Sequence, residues 1–411
     1  MRAGPPSVRV TGRGADGYPV PVRIVHVSDC YPPRTGGIET QVSDLARHQS
    51  LAGHDVHVLT ATLGEAGERG GVVDRDGGVH VHRLGARLPF DLPVNPVGPR
   101  LLHAALRDVA PDVVHVHAGV LSPFAFDGAR IALGHGLPTA ITWHCMLDGT
   151  VPALRTAVRL TGWRTARAAL SAVSSAAASR VQDAFGTEVG VVPNGMDLDV
   201  WAPLERAGHA ATGARGGGPH GSADPGTDGP VRLVATMRLA PRKRAVPLVE
   251  LVGAAARRLP RGRLHLTVIG DGPVRARVEQ VVAAQGLRDV VTLRGRLPRE
   301  QVRAAYADAD VFLAPAELEA FGIAALEART AGLAVVARHG TGIEEFVVDG
   351  TDGLLVADDA EMTEAVVHLA RDERLLAGIR AHNRTERPAF GWPRVLEAAE
   401  GEYLRAVALA R

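Results

Sequence analysis

Short β-branched runs alternate with amphipathic stretches along almost the whole chain, and the alternation is interrupted once. In the first block the runs are Arg23–Ser28, Val56–Thr60, Val79–Leu84, Val113–His117, Thr139–Trp143, Leu170–Val173 and Gly190–Val192. In the second they are Val231–Thr236, Leu264–Ile269, Val290–Leu293, Val311–Leu313, Ala334–Val336 and Gly353–Val356. Strands this apolar, separated by helical patterns, build parallel sheets from βαβ units. The first helix shows the pattern: Ile38, Val42, Leu45 and Ala46 share one face, and Gly53 supplies a stop. Residues 207–230 are almost all Gly, Ala, Pro and small polar residues, which bury too little surface to offset the entropy of ordering. The predicted class is therefore α/β, with two Rossmann-like, doubly wound parallel-sheet domains. The expected divisions are a disordered leader over 1–20, an N-terminal domain over 21–205 and a linker or insertion over 206–230. A C-terminal domain follows over 231–388, and a last helix over 389–411 is expected to pack back on the N-terminal domain.

Composition removes several classes of function. The formal charge is +1, so the cation surplus of a general nucleic-acid binder is missing and no nucleic-acid partner is expected. Two cysteines in 411 residues, Cys30 and Cys145, exclude a disulfide-stapled scaffold and fit a reducing, cytoplasmic setting. No run of 18 apolar residues is present to span a membrane. Of 46 basic residues only one is lysine, Lys243, which marks a place where an ammonium is preferred to a guanidinium.

Doubly wound sheets bind ligands outside their strand carboxyl ends, so the loops there carry the chemistry. The segment Pro315–Gly332 follows a strand and opens a helix at Gly322 with no Ser, Thr, Asp or Asn beside it to cap the free N–H groups. Glu319 stands before that helix and Glu327 inside it, and two carboxylates so placed can grip two polyol groups. Four of the seven residues Arg238–Arg244 are cationic, directly after the strand Val231–Thr236, and suit a diphosphate. Between the first strand and first helix, Gly36 and Gly37 let backbone N–H groups approach a phosphate. The G-x-G-x-x-G dinucleotide pattern is absent there, which disfavours a nicotinamide enzyme.

Weaker signals have bland readings. His80/His82 and His115/His117 each share a strand face and could chelate, but with no Cys or carboxylate third ligand at matching spacing they read as structural. Three Asp-x-Asp strings, at Asp74/Asp76, Asp197/Asp199 and Asp308/Asp310, could bind Mg²⁺ with a diphosphate, yet the cationic cluster already supplies the charge. No metal and no cofactor are expected. A basic helix over Ala153–Leu170, carrying Arg155, Arg159, Arg164 and Arg167, reads as a solvated face and leaves open a peripheral contact with an anionic membrane.

Taken together, the GGIE loop, the VPNGMD string at 192–197, the Arg238/Lys243 pair, IGDGP at 269–273 and the Glu319–Glu327 pair resemble the retaining glycosyltransferases of the GT-B fold known as glycosyltransferase family 4. The resemblance spans nearly all of residues 22–405. It implies two domains facing across a cleft and transfer of a hexosyl group from a nucleotide-diphosphate sugar to a hydroxyl acceptor. A glycan, a lipid-linked molecule, or a small natural product or cyclitol would serve as acceptor, in the cytoplasm or at the inner membrane face. By resemblance Arg238 and Lys243 would hold the diphosphate, Glu327 the ribose, and Glu319 the sugar, near the amides of Phe321, Gly322 and Ile323. Gly36 and Gly37 would meet the phosphate, His144 would point at the reacting sugar, and Asn194 would lie near the cleft. The Arg294-Gly295 loop would face the base. The chain departs from the family pattern at Arg244, where relatives usually have Gly and which could tighten that loop or add a third phosphate cation, and at Ala316 and Ala320. A nucleotide-sugar 2-epimerase or hydrolase of the same fold, and a catalytically silent nucleotide-sugar-binding subunit, remain as alternatives.

Overall fold

The computed structural model describes residues 21–34, 36–87, 95–161, 163, 166–204 and 229–411. The leader expected over 1–20, and the segment expected over 206–230 apart from its last two residues, lie outside the described residues. The chain forms two compact units. One runs to Met196 and resumes at Phe390–Arg411; the other is Asp197–Ala389.

The first unit contains β1 (Arg23–Ser28), α1 (Gly37–Leu51), β2 (Asp55–Thr60), β3 (Val72–Asp76), β4 (Val79–Arg83), α2 (Gly98–Val109) and β5 (Val113–Ala118). It continues through α3 (Pro123–Gly134), β6 (Thr139–Trp143), α4 (Val151–Thr161), β7 (Ala168–Ala172), α5 (Ser175–Phe185) and β8 (Val189–Val191). The strands form one sheet in the order β3-β4-β2-β1-β5-β6-β7-β8. All pairs are parallel except β3 with β4. β1 and β5 are buried along nearly their whole length, histidines included, as central strands covered on both faces are.

Strand β3 has no counterpart in the sequence expectation. Its residues, Val-Val-Asp-Arg-Asp, neither alternate nor bury. The available signal was the turn: Asp76 pairs with Val79 across Gly77-Gly78, and both glycines have positive φ, as a two-residue hairpin turn of the primed type requires. The basic helix expected over Ala153–Leu170 is also shorter. It ends at Thr161, and Ala168 already begins the buried strand β7, so Arg167 is not part of it; Arg164 lies outside the described residues. The apolar residues at 168–172 belong to the sheet rather than to a helix face.

The second unit contains β9 (Val231–Thr236), α6 (Ala245–Ala256), β10 (Leu264–Ile269), α7 (Arg275–Ala284), β11 (Val291–Gly295), α8 (Arg299–Ala307), β12 (Val311–Ala314), α9 (Ile323–Thr330), β13 (Ala334–Arg338), β14 (Gly353–Val356), α10 (Asp359–Arg371) and α11 (Glu373–Thr385). Its sheet has the order β11-β10-β9-β12-β13-β14 and is parallel throughout. The unit begins earlier than the expected boundary at 205. Trp201 is buried beside Tyr306 of α8, with ring centroids 5.6 Å apart, and Arg299 lies over its ring. A large aromatic goes with the core that shields it.

The last helix, α12 (Trp392–Ala410), returns to the first unit. Ala399, Tyr403, Ala406 and Val407 share a core with Val22, Ile24, Val113, Ala140, Ala169 and Val192. Trp392 stacks on His48 of α1, and Met196 N–H donates to Phe390 O at 3.1 Å, so departing and returning segments are tied together. No helix among the described residues is long and apolar enough to cross a membrane.

Candidate functional site

Strand order fixes where each unit can hold a ligand. In the second sheet the order reverses between β9 and β12, and the loops leaving those two strands are the ones that carry Arg238–Arg244 and Pro315–Gly322. The β9 loop folds into a short 3-10 turn at Pro241–Lys243. It is supported from beneath by the IGDGP segment. Met237 N–H donates to Ile269 O at 3.0 Å and Leu239 N–H to Asp271 O at 2.9 Å. A Cβ at Gly270 would lie 1.9 Å from Met237 O, so only glycine allows that approach. The glycines of this string therefore shape the cationic loop.

The β12 loop ends on Gly322, whose φ of 92° lies in the left-handed region and whose position at the N-terminus of α9 leaves the helix without a side-chain cap. The Glu319 carbonyl accepts from Gly342 N–H at 2.8 Å, which pins the loop to the turn after β13. The carboxylate of Glu319 is ion-paired with the Lys243 ammonium, so the two loops at the strand reversal are joined. Arg238, exposed on the same loop, has no ion pair among the described residues. Arg244 is expected either to tighten this loop or to add a third phosphate cation. Its guanidinium is engaged by Glu317 at 2.8 Å and Asp359 at 2.5 Å, and Arg338 is bonded to the same Asp359. It clamps the β12 loop to α10, which fits the loop-tightening reading.

Glu327, on α9, carries a strongly perturbed carboxyl. Burial pushes its pKa up to about 8, against a weaker opposing pull from Arg299. It also presses on its neighbour Tyr306, whose phenol is raised first by its own burial and then by the Glu327 charge. Among the described residues no donor bonds the Glu327 carboxylate, and a half-buried acid with so shifted a carboxyl is a candidate for the site. Phe321 and Gly322 are buried, Ile323 is half-buried, Arg294 is exposed, and Gly295 has a φ of 68° at the end of β11. Sequence reading did not single out Arg299, Tyr306 or Asp359, because their proximity to the site depends on packing of α8 and α10.

In the first unit the order reverses at β1 and β5. Gly36 and Gly37 are exposed at the start of α1, downstream of β1. The VPNGMD string is anchored to α1 by Gln41, which accepts from Gly195 N–H at 2.9 Å and donates to its carbonyl at 3.0 Å. His144 follows β6 and donates its backbone N–H to Ala118 O at 2.9 Å. It lines a small hollow with Asn194, Gln41 and His117.

Around His115/His117 the structure adds a third imidazole. His26 of β1 is in register with His115 of β5, and ligand atoms of His26, His115 and His117 lie within 4.8 Å of one another. Each of these six ring nitrogens already has a hydrogen-bond partner, on Gln49, Tyr403, Thr142, His144 or a neighbouring imidazole. Burial lowers the pKa of all three rings and of His144, to about 4 for His26 and His144. The group is a neutral hydrogen-bonded cluster in the interior of the sheet.

Known proteins match on both units. The family model described as Glycosyltransferase Family 4 matches residues 35–200, and that described as Glycosyl transferases group 1 matches residues 230–372. A D-inositol 3-phosphate glycosyltransferase of Kineococcus radiotolerans is 30% identical over 428 aligned residues, covering 93% of this chain and 94% of the relative. A GDP-mannose-dependent alpha-mannosyltransferase of Mycolicibacterium smegmatis is 27% identical, covering 93% and 97%. Among solved structures, a sucrose-phosphate synthase of Thermosynechococcus elongatus superposes with a TM-score of 0.71 at 20% identity, covering 94% of this chain and 99% of that one. Anabaena HepE, solved with UDP and glucose, gives 0.66 at 18% identity, covering 92% and 97%. The two parallel-sheet units are those of the GT-B fold. Family models on both units, and a relative at this identity over nearly the full length, place the chain among the family 4 glycosyltransferases, as a sugar-transferring enzyme.

Proposed function

We propose that the enzyme is a retaining hexosyltransferase that uses a nucleotide-diphosphate sugar as donor and a hydroxyl group as acceptor. The observation that carries the reading is the joining of Lys243 to Glu319 at the strand reversal, with the donor-free acid Glu327 on the helix that follows. A diphosphate seated there meets Lys243 and Arg238, while Glu319 and Glu327 accept hydrogen bonds from hydroxyls of the sugar and the ribose. Solved neighbours bound to UDP or UDP-glucose support a nucleotide-sugar donor. Relatives named for inositol phosphate and phosphatidylinositol mannosides support a cyclitol or lipid-linked acceptor. On the first unit His144, Asn194, Gly36 and Gly37 are assigned by family resemblance to the sugar and phosphate. Arg294 and Gly295 are likewise assigned to the base, and no metal is assigned a role.

Chemically, the bond between the anomeric carbon and the diphosphate oxygen breaks as the acceptor oxygen bonds the same carbon from the same face. The acceptor proton passes to the departing diphosphate, so configuration is retained without a protein nucleophile. Lys243 and Arg238 act on the charge that grows on the leaving group, a contribution of about 3–4 kcal/mol for a well-placed donor. In steady-state assays with UDP-, GDP- and ADP-sugars, Glu327→Ala is expected to raise donor KM and Lys243→Ala to lower kcat. Wild-type rates in both variants would refute the site. An inverted product by NMR would refute retention, and rapid donor isomerisation without acceptor would favour the epimerase.

A further inference from the structure

Four neutral histidines of the first unit, His26, His115, His117 and His144, belong to a file of hydrogen bonds that leaves Gln49 in two branches and has a direction. It begins at Gln49 on α1, whose Oε1 lies 2.6 Å from His26 Nε2 and whose Nε2 donates to the Tyr403 hydroxyl at 2.8 Å. A carboxamide oxygen has no proton to give, so His26 carries its proton on Nε2. Burial keeps the ring uncharged, which leaves Nδ1 bare to accept from His117 Nε2 at 2.9 Å. The same logic repeats once more: His117 Nδ1 accepts from His144 Nε2 at 3.0 Å. The other branch is consistent with this polarity. Tyr403 donates to His115 Nδ1 at 2.9 Å, and His115 Nε2 donates to Thr142 Oγ1 at 2.7 Å. Thr142 meets Ser171 at 2.8 Å, and the file ends on the Ile141 carbonyl, which can only accept. His144 is the one imidazole of this file with an unused ring nitrogen among the described residues.

We propose that Gln49, His26 and His117 are positioning residues that hold His144 as its Nε2–H tautomer, so that Nδ1 is presented as a bare acceptor for a hydroxyl of the bound sugar. This rests on the family assignment of His144 to the sugar. A hydroxyl then donates to His144, and a tautomer exchange would turn the acceptor into a donor and reverse the hydrogen bond the site selects. A buried file of this kind fixes tautomers because each ring nitrogen must be either donor or acceptor, and a mismatch at any link leaves a buried polar atom unpaired.

The test reads the tautomer directly. In the full-length protein labelled with ¹⁵N-histidine, long-range ¹H–¹⁵N spectra at neutral pH should show His144 protonated at Nε2 alone, its signals assigned by their loss in His144→Asn. His117→Leu should give His144 a mixed tautomer signature and lower kcat by about tenfold, the loss of one hydrogen bond. His117→Gln, which can accept at one end and donate at the other, should restore both. A wild-type spectrum with His144 protonated at Nδ1 or doubly protonated overturns the proposal. So does zinc retained at one equivalent and lost with His117→Leu, because a metal takes the lone pairs that the file uses. The tautomer is read in the wild-type protein without substrate, and only the assigning variant, His144→Asn, has to fold, so a wrong tautomer in an active transferase sinks only this proposal. The expected tautomer in a protein that transfers no sugar sinks the assignment of His144 to the sugar.

Discussion

Lys243 and Glu319, 76 residues apart in sequence, form an ion pair that ties the loop after β9 to the loop after β12. Both side chains are half-buried, so the pair is shielded more than a surface salt bridge and holds the loops in register before any ligand arrives. The same arrangement makes the two groups compete, because a diphosphate must share the ammonium with the carboxylate. Glu319→Gln is therefore expected to raise affinity for a free nucleoside diphosphate, by roughly three- to tenfold, while lowering kcat for sugar transfer. Isothermal titration with the diphosphate and steady-state assays check the two effects separately. An unchanged or weakened diphosphate affinity would show that the pair does not restrain Lys243.

Glu327 links stability to pH. Its carboxyl is raised from an ordinary value of 4.5 to about 8, because ionisation in a buried position costs more than in water. A group raised in the folded state contributes stability fully below pH 4.5 and loses it progressively as pH rises to about 8. Glu327→Gln removes the titration. Its Tm should fall less than that of the wild type across that window, with the two curves parallel above it. Thermal scans at half-unit pH steps decide this, and identical slopes would mean the acid is not shifted.

Gly322 occupies the left-handed region at the uncapped start of α9, and an added Cβ would stand 2.5 Å from Ile343 Cγ1. Gly322→Ala should lower unfolding free energy by about 1–2 kcal/mol from backbone strain alone. Displacement of Ile343 should also disturb the amides at the helix start. Urea melts measure the first effect, and donor KM the second.

Arg244 has φ of 60° and is held by Glu317 and Asp359. Replacement by glycine relieves the backbone while removing the ion pairs, so the two changes oppose each other, each on the order of 1 kcal/mol. Arg244→Gly should leave donor KM within about twofold, whereas Arg238→Ala should raise it by tenfold or more. A large KM effect of Arg244→Gly would return this residue to the phosphate-binding set.

Particular residues show where the sequence was sufficient. The boundaries of β1, β6, β9, β10 and β14 were legible because each is a short run rich in Val, Ile, Leu or Thr, whether buried throughout as in β6 or alternating between buried and half-buried positions as in β10. The uncapped helix after Gly322 was legible because cap chemistry is local. Strand β3 and the end of α4 were not, since an exposed hairpin strand carries no apolar signal and a strand's alanines look helical.

By itself the chain determined the alternating α/β order, the cationic β9 loop and the two acids around Gly322, all of which depend on neighbours within a few residues. Tertiary structure decided that Arg244 turns to Glu317 and Asp359, that Glu327 is withdrawn beside Tyr306, and that His26 completes a file with His117 and His144. Those outcomes follow from strand order and register, which bring together side chains separated by tens of residues. Local propensity carries no information about which strand will lie beside which.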